Sequence, residues 1–308
     1  MMFAKRFSVR FVTIIMGLFA STAISSMELE PRQWSHLPID TNFGGLAYSY
    51  TDAYVGLDPV LNLADVSMEL TTWGVKYIRT FELFDKTARL DFTQAYQEAE
   101  WNGKLNGSPA TSKSSGLSDG FVRFAINLLG SPPLEGEDYR AYRASKRDNT
   151  VIGVGMVVRL PNGNYEESRL LNLGGNRFVF RPQVGISHLS GNWTTELTTE
   201  VALYGDNDNF FNGNTLEQDP FFIVHGHLIY TFRPGLWLSL SAGYDIGAES
   251  SINGVKKDDK KQNAGWRISA AYPISRNVGV NFFYTKTQSK EVTGTDIDNF
   301  VVNFSYMW

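Results

Sequence analysis

The chain has no cysteine. That excludes disulfides, thiolate metal sites and a lipid-modified N-terminal cysteine, and it suits a polypeptide that crosses an oxidising periplasm unfolded. Long hydrophobic runs are missing too. Outside the first residues nothing approaches the ~20 apolar residues that a membrane-spanning helix needs, so a membrane protein built from this sequence has to cross with strands. Charge is sparse and scattered: 28 Lys and Arg against 32 Asp and Glu give a net charge of -4, with no long block of either sign. Nucleic acid, which calls for a clustered basic face, is set aside as a partner. What the chain does have is 28 Gly and 14% aromatic residues, a composition that favours strands, tight turns and aromatics at a membrane interface over helices.

The N-terminus reads as a targeting segment. Lys5, Arg6 and Arg10 form a basic region, Phe11 to Ala20 a short apolar one, and Ser21-Thr22-Ala23 supplies small residues at the exit. Cleavage is expected after Ala23, with Ser26 as the alternative. The expected organisation is therefore a signal peptide over 1–23, a periplasmic segment over 24–41 and a single all-β domain over 42–308.

From residue 42 onwards, segments of about ten residues alternate apolar with polar or small, separated by stretches rich in Gly, Asn, Asp, Pro and Ser. At the C-terminus, Phe300, Val302, Phe304, Tyr306 and Trp308 alternate with Asn299, Val301, Asn303, Ser305 and Met307, one face fit for lipid and the other for a wet lumen. The same alternation recurs around residues 46, 73, 92, 124, 155, 182 and 199, and in the stretches 222–232, 236–246, 266–272 and 278–284. The total is about twelve strands, and the pattern predicts a transmembrane antiparallel up-and-down β-barrel. Turn lengths support it. Ser190-Gly191, Arg233-Pro234-Gly235 and Pro273 to Asn277 are tight, whereas 98–116, 161–175, 205–219, 249–262 and 288–296 are expected as long exterior loops. The connection 131–149 breaks the rule by being long on the periplasmic side, and it is expected to carry a short helix or plug. A secreted β-sandwich would also show alternating strands. Against it stand the aromatics near strand ends (Tyr48, Tyr50, Trp73, Tyr77, Tyr96, Trp193, Tyr204, Tyr230, Trp237, Tyr272 and Tyr284), which read as interfacial girdles.

PRQWSHLPIDTNFGGLAYSYT, NTLEQDP, HLIYTFRPGLWLSLSAGY and NGVKKDD, in that order and followed by a last strand with an aromatic end, resemble the outer-membrane family labelled as the MetA-pathway of phenol degradation. The resemblance runs over nearly the whole mature chain. It implies an outer-membrane barrel regarded as a transporter, with a name that points to aromatic compounds, and it brings no binding residues with it.

The candidate functional residues are polar positions on the lumen face: Arg89, Arg123, Arg177, Arg181, Glu196, Glu200, His225, His227 and Arg267, with Asp91 and Arg159 beside them. A two-residue turn at Ser190-Gly191 would set Arg181 opposite Glu200 and Gln183 opposite Thr198. Such charges either satisfy one another and stiffen the wall, or form a constriction that selects solutes. His225 and His227 share a face, but no Asp, Glu or Cys at matching spacing completes a metal site, so neither metal nor cofactor is expected. The loop 206–214 has calcium-loop composition but places Phe210 where a ligand belongs. No catalytic residues are expected: His188, near the lipid face, has no Ser at a cross-strand position. Phe300, Phe304, Tyr306 and Trp308 are the expected lipid-facing closing strand, read by the barrel-assembly machinery. Twelve strands close at a backbone radius of about 12 Å, which leaves a bore of about 10 Å or less. The functional expectation is a narrow bacterial outer-membrane channel for small organic solutes, with outer-membrane lipid and the solute as partners and the oligomeric state open. A sealed structural barrel is the alternative, and a lipid hydrolase the more distant one.

Overall fold

The computed structural model describes residues 29–58, 63–105, 107–169 and 171–308. The expected signal peptide lies outside them. Runs of alternating side chains form β1 (Asn42–Asp58), β2 (Leu63–Leu83), β3 (Lys86–Leu105), β4 (Ser108–Leu117), β5 (Phe121–Leu129), β6 (Asp148–Arg159), β7 (Val179–Ser190), β8 (Trp193–Tyr204), β9 (Asn207–Phe210), β10 (Asn214–Gln218), β11 (Phe221–Arg233), β12 (Leu236–Gly247), β13 (Ser250–Ile252), β14 (Val255–Lys256), β15 (Lys261–Pro273), β16 (Val278–Ser289) and β17 (Thr295–Met307), with the helix α1 (Gly136–Ser145) between β5 and β6. β4 and β5 follow the same edge of β3, β4 against its upper half and β5 against its lower, and so make one wall strand. Counted that way, the wall has twelve antiparallel strands, each paired to its neighbours in sequence, and β1 closes on β17 with Leu46 opposite Phe304 and Tyr48 opposite Val302.

The period of two fixes which face is which. Leu46, Trp73, Phe180, Leu197, Leu240, Ile268, Phe300, Phe304, Tyr306 and Trp308 point outward and are well exposed, and in a closed barrel that surface can only be covered by lipid. The band has visible edges. On β2 the outward residues run from Tyr77 to Glu69, and on β17 from Tyr306 to Asp298. Eight residues at ~3.4 Å, tilted ~40°, span about 21 Å of height, close to the apolar belt of an outer-membrane barrel. Above the belt Lys286 pairs with Asp298 at 2.9 Å; below it Tyr77 and Trp308 lie in ring contact, and Tyr306 stacks on Trp308.

Several expectations change. Residues 98–116 are not a loop: β3 and β4 continue as a paired hairpin beyond the belt. Their sequence reads as loop because both faces are in water there, so no apolar alternation is needed. The exterior segments 205–219 and 249–262 carry β9, β10, β13 and β14, which form a small four-stranded sheet of their own. The connection 131–149 does carry a helix, α1. Tyr204 and Trp237 do not belong to the girdles. Both have lumen parity, and Trp237 is only 2% exposed. The tight turn after β7 is Gly191-Asn192, since Ser190 pairs with Trp193, and the β7/β8 register therefore slides by two residues. Gln183 faces Glu200 and Gly185 faces Thr198, and an even shift keeps every side chain on its expected face.

The largest difference concerns the segment that precedes β1. Residues 29–41, expected in the periplasm, lie inside the barrel: Leu29 packs with Val179, Phe221, Ile223 and Ala248 near the exterior end, and Leu37 with Phe43, Ile78, Ile229 and Phe283 near the periplasmic end. The bore calculated for an empty twelve-strand barrel is accordingly filled. The segment contains Leu29, Trp34, Leu37 and Ile39, all buried, and apolar side chains of that size are driven out of water wherever a surface will receive them.

Candidate functional site: the occupied lumen and the break in its wall

At the periplasmic end α1 and the N-terminal segment close the lumen together. The Tyr139 hydroxyl donates to the His36 carbonyl (2.9 Å), the Ile39 amide donates to the Leu134 carbonyl (2.9 Å), and His36 Nε2 meets the Pro132 carbonyl at 2.8 Å. Edges of Tyr139 and Tyr142 pack on the His36 ring. Burial pushes the His36 pKa down to about 4 and that of Tyr139 up to about 12.

Above this apolar floor the segment is held by polar and charged groups. Lys76 pairs with Glu30 at 3.3 Å. The Arg32 amide donates to Glu196 at 2.6 Å, its guanidinium to Thr231 at 2.6 Å, and its Cζ lies 5.1 Å from the Trp237 ring. Arg89 forks onto Asp91 and donates to the Gln33 carbonyl at 3.3 Å. Arg123 lies 3.9 Å from Asp91, donates to Gln183 at 3.0 Å and stands over the Trp34 ring, 4.9 Å from its centroid. Gln183 in turn donates to Glu200 (2.5 Å), and Arg181 reaches Glu200 at 3.9 Å. The structure thus gathers Arg89, Arg123, Arg181 and Glu200 into one network, with Glu196 four residues along β8 from Glu200, on the same face and bonded to the inserted segment.

The other sequence candidates stand apart from that network. Arg177, in the connection before β7, bonds Gln218 and lies over Tyr204, and burial lowers its pKa to about 10. On β11, the strand paired with β8, His225 and His227 stand opposite Thr198 and Glu196; His225 Nδ1 meets His227 Nε2 at 2.9 Å, His227 Nδ1 meets the Ser241 hydroxyl at 2.7 Å, and on β15 Arg267 donates to Thr285 at 2.6 Å. The two histidines are hydrogen-bonded to each other, and no group of three or more metal-ligating side chains occurs among the described residues. Arg159 is held at the exterior rim by Asp119 at 2.7 Å. His188 faces out and bonds Thr150 at 2.9 Å; its cross-strand neighbours are Thr150 and Thr195.

Sequence reasoning missed Glu30, Arg32, Trp34 and Lys76. Lys76 has lumen parity on β2, a signal that alternation carries. The others precede the first strand, where no periodicity operates.

The wall itself has a discontinuity. Between β7 and β8 the ladder pairs Phe180 with Leu203 and Gln183 with Glu200, but Arg181 and Pro182 pair with neither Ala202 nor Val201. Proline has no amide hydrogen to give. Over this gap lies a cleft of about 620 Å³, lined on the lipid side by Pro182, Val184, Val201, Phe222 and Val224 and reaching Gly155, Gln183, Glu200 and Ile223 on the lumen side. An apolar cleft in the outer half of the belt therefore lies against the wall positions that carry Gln183 and Glu200.

Residues 46–301 match the family model described as "Putative MetA-pathway of phenol degradation". The chain belongs to this family. The COG4313 outer membrane channel from Pseudomonas putida F1 has a similar fold: TM-score 0.74 at 20% identity, over 91% of this chain and 100% of that one. The transport unit of the autotransporter AIDA-I from Escherichia coli resembles it more loosely, with TM-score 0.50 at 8% identity over 92% and 94% of the two chains. No curated protein matches in sequence. With its lipid-facing belt and closed twelve-strand wall, this member of the family is a protein of the bacterial outer membrane.

Proposed function

We propose that the chain is an outer-membrane channel for small, largely apolar organic solutes, admitted from the outer leaflet through the gap between β7 and β8. The observation that carries this reading is the unpaired stretch at Pro182, where an apolar cleft on the lipid side meets Gln183 and Glu200 at its floor. Arg181, Glu200 and Gln183 form the inner mouth, and Arg123 and Arg89 the polar wall behind it. Arg177, Glu196, His225, His227 and Arg267 line the rest of the lumen. Family membership and the likeness to a solved outer-membrane channel support the reading. Passage into the periplasm requires residues 29–41 to shift, because they fill the way down. Their polar bonds to the wall can be exchanged for bonds to water at small net loss, so the cost of the shift is set by Leu29, Trp34, Leu37 and Ile39, which must leave their buried places.

The absence of native cysteine makes the test clean. Pro182→Cys with Val201→Cys places two thiols across the gap. Oxidation should abolish uptake of a monocyclic aromatic into proteoliposomes, and reductant should restore it. Uptake indifferent to the crosslink would refute the lateral route. No uptake by the wild type under any condition would favour the sealed barrel, a reading supported by the packed floor at Leu37, Tyr139 and Phe283.

A further inference from the structure

Trp34 occupies a socket that the wall is built to provide. Its ring is 1% exposed, and its indole Nε1 donates to the Thr198 hydroxyl at 2.9 Å. Two of the residues beneath it are glycines for which no larger residue would serve: a Cβ on Gly185 would overlap the indole nitrogen and its neighbouring carbons, and one on Gly153 would fall on the benzo edge, at 2.5 Å from Cε3 and 2.7 Å from Cζ3. Gly153, Gly185 and Thr198 are cross-strand partners in a single row over β6, β7 and β8. Arg123 supplies a cation over the ring at 4.9 Å, an arrangement attractive to any aromatic face. The next row towards the exterior on the same three strands is Gly155, Gln183 and Glu200, the lumen side of the wall gap. The socket therefore lies one row, two residues or about 7 Å of strand, inside the opening.

We infer that this socket is a binding site for monocyclic or fused-ring aromatics that carry a ring N–H or O–H donor, such as indoles and phenols, and that Trp34 is its tethered occupant. The ring would lie in the glycine floor beneath Arg123, with its donor on Thr198 Oγ1, and it competes directly with the side chain that now closes the site. This takes up the channel reading above and names the solute class. Because Trp34 is attached to the wall it blocks, its effective concentration is on the order of millimolar or higher, and the wild-type protein should bind such rings weakly.

Binding is measured by equilibrium dialysis of full-length protein in detergent, with indole and 1-methylindole as probes and heat-modifiable gel migration as the check on folding. Trp34→Ala should raise indole affinity at least tenfold. In that background, Thr198→Val should lower indole affinity about fivefold, the worth of one hydrogen bond, without changing that of 1-methylindole, which has no donor. Gly185→Val, which fills the socket, should return both probes to the wild-type level. Unaltered indole affinity in Trp34→Ala, or binding there that ignores both secondary changes, would overturn the assignment. The readout needs no transport, so it fails or succeeds independently of the uptake experiment on the wall gap.

Discussion

A lysine placed on the outer face of β17 should destabilise the barrel according to depth alone. The outward residues of that strand are Asp298, Phe300, Val302, Phe304 and Tyr306. Asp298 is in the exterior ion pair with Lys286 and Tyr306 in the periplasmic girdle, which sets Val302 at the middle of a belt about 21 Å high. Phe304 lies two residues lower, about 5 Å from the midplane. Lysine at the midplane of such a barrel costs about 2–4 kcal/mol and falls to about 0–1 kcal/mol at the interface. Val302→Lys should therefore lose about 2–4 kcal/mol, Phe304→Lys about 1–3 kcal/mol, and Tyr306→Lys no more than about 1 kcal/mol. Asn303→Ala, on the lumen side of the same strand, should lose only about 1 kcal/mol, the worth of one hydrogen bond. Urea titration of barrels refolded into lipid vesicles, followed by tryptophan fluorescence, reads all four. Equal losses at 302, 304 and 306, or a greater loss at 306 than at 302, would refute the placement of the belt and with it the lipid exposure of the wall gap.

Three further outcomes follow from the lumen. Arg89→Ala leaves the buried Asp91 carboxylate without its forked partner and should destabilise by about 3 kcal/mol, while Arg89→Leu with Asp91→Leu should recover most of that in the same titration. Tyr139→Phe removes the hydroxyl bond to the His36 carbonyl; a loss near 1 kcal/mol is expected, together with faster amide exchange in residues 36–39, and unchanged exchange would show that α1 does not hold the segment. His36 is held neutral, with its pKa at about 4 against 6.5 in the unfolded chain, so the unfolded state binds the extra proton between those values. Stability should be fully present above pH 6.5 and fall as the pH drops towards 4, by about 3 kcal/mol in all. His36→Gln should flatten that part of the profile, and an equally steep profile in the variant would assign the pH dependence to other groups.

The strand pattern is legible in the sequence because a membrane barrel writes it there. Lipid on one side and a polar lumen on the other force a period of two at every wall position, so alternation alone reveals the faces of Arg123, Arg181, Glu200, His225 and Phe304. Register is not legible in the same way, since sliding β7 against β8 by two residues preserves every face, and only the pairing of Ser190 with Trp193 sets Gln183, not Arg181, opposite Glu200. Nor does alternation disclose where residues 29–41 go. A segment without periodicity carries no directional signal, and its place is set by what receives it: the glycines at 153 and 185, the hydroxyl of Thr198, and Lys76 for Glu30. Three of those partners come from the consecutive strands β6, β7 and β8 and the fourth from β2, far away in sequence, so all four surround the segment only when the barrel closes. Alternation along the chain was enough to specify a barrel in a membrane. Closure of the wall was needed to bring the N-terminal segment into the lumen, to leave the break in the β7/β8 ladder at Pro182, and to seat Trp34 over the glycines of the row below it.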